Sequence, residues 1–308
     1  KRIFVAGSGP VMNFILGIMV FSILYMIGVP VSQSDKTTEI GYVIEGEPAA
    51  IAGLKSGDTL ISIDGKKVQN FDDIAIWVVK HPDKKLDFFL LQDGKKLTIP
   101  VQPKAEKRKG IGKIGSIGIY PRMNVEIGEV ISDSLSENEE VKLGDIVQTI
   151  NGKPVRHLMD IYDEIEQNPG EEIHLQLIRE NTVHPVNIPA SIEIMVVDVQ
   201  RDSQAEKVGI PKNDIIQSIN GTPITNYKDI EQEARKNPEQ PLHLIFKSGK
   251  EFNLIPEFND NNEFVKFGLI LKNYIGGISF TEHIDMQRYN FITAWGKGIQ
   301  KSFSVIVE

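Results

Sequence analysis

Six histidines and no cysteine bound the chemistry available to this 308-residue chain. His81, His157, His174, His184, His243 and His283 include no pair at i, i+4, the spacing by which an H-E-x-x-H helix puts two imidazoles on one metal. His174 and His243 occupy matching places in "EEIHLQL" and "QPLHLIF", which marks them as strand residues rather than ligands. Without cysteine there is no thiolate nucleophile, thiolate metal site or disulfide. No G-x-S-x-G elbow and no phosphate-cradling glycine loop occurs either. On these residues alone the chain has no complete active site. A second group is structural in type. Gly9, Asn13 and Gly17 are four apart and would share one helix face. Small residues there admit a neighbouring helix, and an asparagine amide in hydrocarbon needs protein or water beside it. Pro10 suits a helix start, where its missing N–H does little harm.

The elements that would position these groups follow from charge and period. The net charge is −8, which argues against nucleic acid as a partner. Its distribution is uneven: no charged residue stands between Arg2 and Asp35, and Val11 to Val31 is almost continuously apolar. That is the length of a bilayer-spanning helix, roughly 20 residues. The run is longer than a signal-peptide core and no A-x-A site follows. Residues 1–35 are therefore expected to form a transmembrane helix. Lys1 and Arg2 before it, with Asp35 and Glu39 after it, place its start in the cytoplasm and the remainder outside. At the other end, Phe291, Trp295, Ile299, Phe303 and Ile306 recur at spacings of three and four, with Lys297 and Lys301 among them. Residues 276–308 are read as an amphipathic helix that lies at the membrane surface and leads toward a further membrane helix. A helix packed on a soluble domain would show the same pattern.

Between these ends one pattern occurs three times. "SGDTLISIDGKKVQNFDDI", "LGDIVQTINGKPVRHLMDI" and "KNDIIQSINGTPITNYKDI" each carry an aspartate (Asp58, Asp145, Asp214), an apolar run and an Asp-Gly or Asn-Gly pair. Pro82, Pro169 and Pro238 each follow their aspartate by 24 residues. The apolar runs read as strands and the Asp-Gly and Asn-Gly pairs as tight turns, not as catalytic carboxylates. An amphipathic helix opens on acidic residues and stops before each proline.

The stretch "GEPAAIAGLKSGDTLISIDGKKV", from Gly46 to Val68, resembles the PDZ domain in its circularly arranged form. That resemblance implies capture of an extended peptide as an added strand, with backbone amides of a glycine loop holding its terminal carboxylate. In this form the loop closes the unit, and "IGSIGIYP" supplies Ser116, Ile117, Gly118 and Ile119 for it. "FVKFGLILK" supplies Phe267, Gly268 and Leu269 after the third copy, as a looser match. No comparable loop lies between the second and third copies, so the second reads as a degenerate spacer. The basic link "PKAEKRKGIGK" reads as a solvated linker, and as an attractant for a carboxylate or an anionic lipid in the alternative. The expected fold is α+β, with tandem PDZ-like partly open barrels at 36–122, 123–190 and 191–275.

"AGSGPVMNFILG" is similar to the Ala-Gly-Pro-x-x-Asn signature of the second conserved helix in site-2 proteases, with Gly9, Pro10 and Asn13 matching and Ser8 in place of alanine. These are zinc metalloproteases that cut substrates within the membrane. In the RseP-like branch that helix leads into periplasmic PDZ domains, an amphipathic helix and a third membrane helix, the order found here. The resemblance implies a multi-pass inner-membrane enzyme acting in regulated intramembrane proteolysis, with an anti-sigma factor as the usual substrate and the PDZ array as a filter. Transmembrane protein substrates and peptide C-termini are the implied partners. It also implies that the zinc ligands and the catalytic glutamate lie outside residues 1–308, so the piece alone is inactive. Three repeats rather than two depart from the family pattern. A membrane-anchored, non-catalytic PDZ scaffold is the alternative. An envelope serine protease with PDZ domains is disfavoured by the apolar helix in front.

Overall fold

The uninterrupted apolar run forms helix α1 (Arg2–Ile27), 26 residues long, in a computed structural model of the chain. The structure describes residues 2–108, 110, 112–131, 141–168, 170–236, 238–258 and 266–307, with side chains from 12 to 302 apart from those of 35, 108 and 266. Among the described residues no helix is long and apolar enough to cross a membrane. The chain divides into two compact units, Lys1–Arg122 with Ile284–Glu308, and Met123–His283.

In the first unit α1 is followed by β1 (Val29–Val31), a short 3-10 turn and then β2 (Ile40–Val43). The first repeat continues with α2 (Pro48–Ala52), β3 (Thr59–Ile63), β4 (Lys66–Lys67), α3 (Phe71–Lys80), β5 (Leu86–Gln92) and β6 (Lys95–Val101). The basic link is a hairpin, β7 (Lys104–Arg108) and β8 (Gly112–Ser116), and β9 (Ile119–Pro121) returns to pair with β2. Ile40, Ile63, Leu86, Phe88, Leu90 and Ile117 are buried together in a core of their own. Domain one is complete within 40–121.

The second unit is differently threaded. It runs β10 (Val125–Val130), β11 (Ile146–Ile150), β12 (Lys153–Pro154), α4 (Leu158–Gln167), β13 (Glu172–Arg179) and β14 (Thr182–Pro189). The third repeat then begins with β15 (Ile192–Val199), α5 (Gln204–Val208), β16 (Asp214–Ile219), β17 (Thr222–Pro223), α6 (Tyr227–Lys236), β18 (Leu242–Phe246) and β19 (Glu251–Leu254). Strand β20 (Leu269–Ile275) pairs with β15 and closes that repeat. The chain turns at Gly276-Gly277 into β21 (Ile278–Glu282), which pairs with β10 of the second repeat. Ile275, Ile278 and Phe280 lie in the second repeat's core, with Val125, Ile150 and Leu175. The third domain is thus inserted into the second: the chain leaves domain two near 190, as expected, but residues 276–282 return to complete it. Residues 276–282 are strand and turn rather than the start of a terminal helix. Alternation explains why: Ile278 and Phe280 face a core, and a single helix period would not bury both with Ile275.

The chain ends with β22 (Asp285–Gln287), paired with β1, and α7 (Phe291–Val307). Helix α7 packs along α1. Ala294 and Ser302 are buried, and a Cβ at Gly298 would stand 2.4 Å from Ser22 Oγ and 2.8 Å from the Ile18 carbonyl. Ser22 and Gly17 are the α1 counterparts: Ser22 is buried, and a Cβ at Gly17 would lie 3.5 Å from Ser302 Oγ. So α7 has a helical partner inside the chain, on the face expected for Gly17. Asn13 is exposed. The side-chain surroundings of Gly9 and Pro10, like those of Phe303 and Ile306, fall outside the described residues. Tyr25 and Tyr289 meet edge to face at 5.7 Å, and Lys297 Nζ lies 4.7 Å from the Tyr289 ring centre.

Candidate peptide-binding site

Each repeat positions its elements with the same small set of bonds. The turn residues Asp64, Asn151 and Asn220 take positive φ near 50°, as a two-residue hairpin requires. Each then accepts a backbone N–H 23 residues on, from Asp87, His174 and His243, at 2.9 Å in every case. His174 and His243 are strand residues held by turns. Asn70 and Asn226 cap α3 and α6 by accepting the N–H of Asp73 and Asp229, and His157 with Asp160 forms a capping box on α4.

The repeated aspartates are buried anchors. Asp58, Asp145 and Asp214 are each bonded to a residue 34 positions later: Gln92 at 2.9 Å, Arg179 through two bonds of 2.7 and 2.6 Å, and the Ser248 hydroxyl. Burial raises the Asp58 carboxyl above the usual aspartate range, against hydrogen bonds from the Lys55 N–H and the Gln92 amide. Burial acts the same way on Asp145, but the Arg179 guanidinium and the Lys142 N–H outweigh it and hold that carboxyl below the range. These bonds tie the helix-to-strand corner of each repeat to its hairpin. They leave none of these three carboxylates poised for acid–base chemistry.

The glycine loops are the part with a free chemical capacity. In domain one Ile44 donates its N–H to the Gly118 carbonyl at 2.8 Å. In domain three Gln200 donates to Gly268 at 2.8 Å, and in domain two Ile131 donates to Gly277 at 2.9 Å. All three glycines have φ between 73° and 81°, where a side chain is strained. A Cβ on Gly118 would stand 2.4 Å from Glu47 Cβ, and one on Gly268 would stand 2.2 Å from Ser203 Cβ. Glu47 and Ser203 are the N-cap residues of α2 and α5, so the two loops press on the same corner of their domains. Ile117 and Phe267 are buried beneath them.

Each loop opens into a strand with one edge unpaired. Among the described residues β9 pairs only with β2. β20 pairs with β15 along its length and touches β21 only at Ile275, while β21 pairs with β10. Helix α4 lies beside β21. Ser116, Ile117, Gly118 and Ile119 thus stand together at one loop, and Phe267, Gly268 and Leu269 at another. The loop missing from the second repeat stands at Gly276-Gly277, after the third. Gly277-Ile278 takes the place that Gly118-Ile119 has in domain one, a signal that only a discontinuous repeat reveals.

No three His, Cys, Asp or Glu side chains gather to hold a metal among the described residues.

The PDZ domain family matches residues 39–87 and 195–247, within domains one and three. Among curated proteins, zinc metalloprotease RasP of Bacillus licheniformis is 36% identical over 155 residues, covering 50% of this chain and 36% of RasP. The regulator of sigma-W protease RasP of Bacillus subtilis is 38% identical over 119 residues, covering 38% of this chain and 28% of its own. Metalloprotease MmpA of Caulobacter vibrioides is 29% identical over 154 residues, covering 49% and 38%. The chain spans about a third of the length of the curated relatives it matches.

Proposed function

We propose that this chain, which belongs to the RseP-like site-2 zinc metalloproteases with PDZ domains, is the part of such an enzyme that receives substrate. Helix α1 would be the second conserved membrane helix, with the PDZ-like domains on the extracytoplasmic side of the inner membrane. The zinc ligands and the catalytic base would come from elsewhere in the whole enzyme. Zinc there would polarise a scissile carbonyl and lower the pKa of a bound water. The domains would sort membrane proteins by the peptide ends they present, in regulated intramembrane proteolysis. An anti-sigma factor is the substrate class in this reading, in keeping with one relative's name as a regulator of sigma-W.

The observation that carries the proposal is the threefold recurrence of one bond, from Ile44, Ile131 and Gln200 to a left-handed glycine, each followed by a strand with an open edge. Such a loop aims backbone N–H groups at a carboxylate while the strand edge accepts the peptide backbone. An NMR titration with peptides ending in a free carboxylate tests it. Shifts are expected around Gly118, Gly268 and Gly277, and they should disappear when the peptide is amidated. Equal shifts with both peptides, or shifts confined to α7, would overturn the reading.

A further inference from the structure

The three repeats supply an internal control for their outward helix faces. In register with Ile76, Trp77 and Val79 of α3, α4 carries Asp163, Glu164 and Glu166, while α6 carries Gln232, Glu233 and Arg235. Only in domain one is this face apolar. Ile76 is 51% exposed and Val79 40%, whereas the buried side of α3 is formed by Phe71, Ile74 and Val78. Ile76 and Val79 are not needed for the core, since the other two domains fold with Asp163, Glu166, Gln232 and Arg235 in those places. Trp77, like the buried Glu164 and Glu233, instead lies against its core, its ring stacked on His81 at 4.9 Å.

The surroundings are cationic. Lys66 Nζ stands 5.2 Å from the Trp77 ring centre, and Lys80 follows Val79 at the exposed end of α3. The acidic residues of the helix, Asp72 and Asp73, are in its first turn at the far end. On a larger scale the first unit carries twenty Lys and Arg against fourteen Asp and Glu, a net charge of +6. The second unit carries fourteen against twenty-eight, a net charge of −14. The 3-10 turn Gln33–Asp35, reached from α1 through β1, packs against α3.

We infer that the Ile76–Trp77–Val79 face of α3 is a membrane-docking surface that seats domain one on an anionic lipid leaflet. It rests on the reading of α1 as a membrane helix, because the turn leaving α1 is what brings α3 to that level. The chemistry of the face agrees. Two exposed aliphatic side chains enter the acyl boundary, an indole sits among headgroups, and lysines meet lipid phosphates. The unlike charge of the two units gives only the first a reason to settle on an anionic leaflet, and aliphatic side chains beside lysines suit its acyl boundary and phosphates.

Trp77 reports on the contact directly. The chain with Trp295→Phe is reconstituted in vesicles of phosphatidylcholine, with and without phosphatidylglycerol, some prepared with lipid brominated near the glycerol end of its acyl chains. Trp77 fluorescence should be quenched by the brominated lipid, more strongly with phosphatidylglycerol. Quenching should be lost in Ile76→Glu/Val79→Glu, with the near-ultraviolet dichroism of the domain unchanged. Lys66→Glu/Lys80→Glu should remove only the dependence on phosphatidylglycerol. Trp77 left unquenched in both vesicles, or shielded from iodide only when protein concentration is raised, would overturn the inference. Carbonate extraction of the same vesicles separates the two ideas. A chain that resists extraction with Trp77 unquenched loses the docking surface alone. One that is extracted loses the membrane helix, and Trp77 quenching still decides the surface.

Discussion

Domain one and domain two are built from the same repeat, yet one closes on itself and the other closes around a guest. In domain one the returning strand β9 lies 18 residues after the end of β6, with only a hairpin between. In domain two the equivalent strand β21 follows β14 by almost ninety residues, all of domain three. The local bonds are nonetheless the same: cap, turn, buried aspartate, left-handed glycine. The comparison separates what a repeat needs locally, which is a set of short hydrogen bonds, from what completes its core, which is one strand from any distance.

The largest test of this difference removes that strand. Deleting residues 276–283 should unfold domain two while domain one keeps its core. Phe280→Ala, a cavity in the same place, should cost domain two about 3–5 kcal/mol. Hydrogen exchange followed by mass spectrometry in graded urea would resolve both, domain by domain. Loss of protection in 40–121 would contradict the separation. The corner anchors come next. Arg179→Leu leaves the Asp145 carboxylate buried without its guanidinium and should destabilise domain two by about 1–3 kcal/mol. Gln92→Leu, which removes a neutral partner from Asp58, should cost domain one less, nearer about 1 kcal/mol.

Acid should sharpen the contrast. The depressed Asp145 pKa contributes stability that is present above the unfolded aspartate value, near 4. That contribution is lost as pH falls from there through the lower folded value. Asp58 is raised, so the folded domain binds its proton more readily and this site favours folding as pH falls through its folded pKa. On acidification the parent's domain two should therefore lose its stability advantage over Arg179→Leu, measured as the difference in domain-two protection between the two proteins. The smallest effect is at the caps. Asn70→Ala and Asn226→Ala should each cost about 1 kcal/mol, and nearly equally, by urea denaturation.

Local features were the readable ones. Asp58, Asp64 and Pro82 and their counterparts keep fixed spacings because a turn and a capped helix tolerate few residue types. The same holds for Gly118 and Gly268, whose backbone conformation excludes a side chain and whose position follows directly on their own repeats. Gly277 was hidden by connectivity: its bond is to Ile131, and nothing in local spacing records a partner across a whole domain. The α1–α7 contact was half visible. The spacing of Gly17 predicts a helix beside it, but the Ala294, Gly298, Ser302 row is hard to see in the sequence because the stronger apolar period of that helix runs through Phe291 and Trp295. Close approach depends on what is small there, not on what is greasy.

The inserted third domain also sets a schedule. A ribosome adding ~5–20 residues per second needs roughly 5–20 s to travel from β14 to β21. Throughout that interval the edge of Val125–Val130 that will meet β21 has no partner. Domain one is finished before this wait begins and domain three must finish during it, so domain two is the last to close and the one whose nascent edge is open to misassociation.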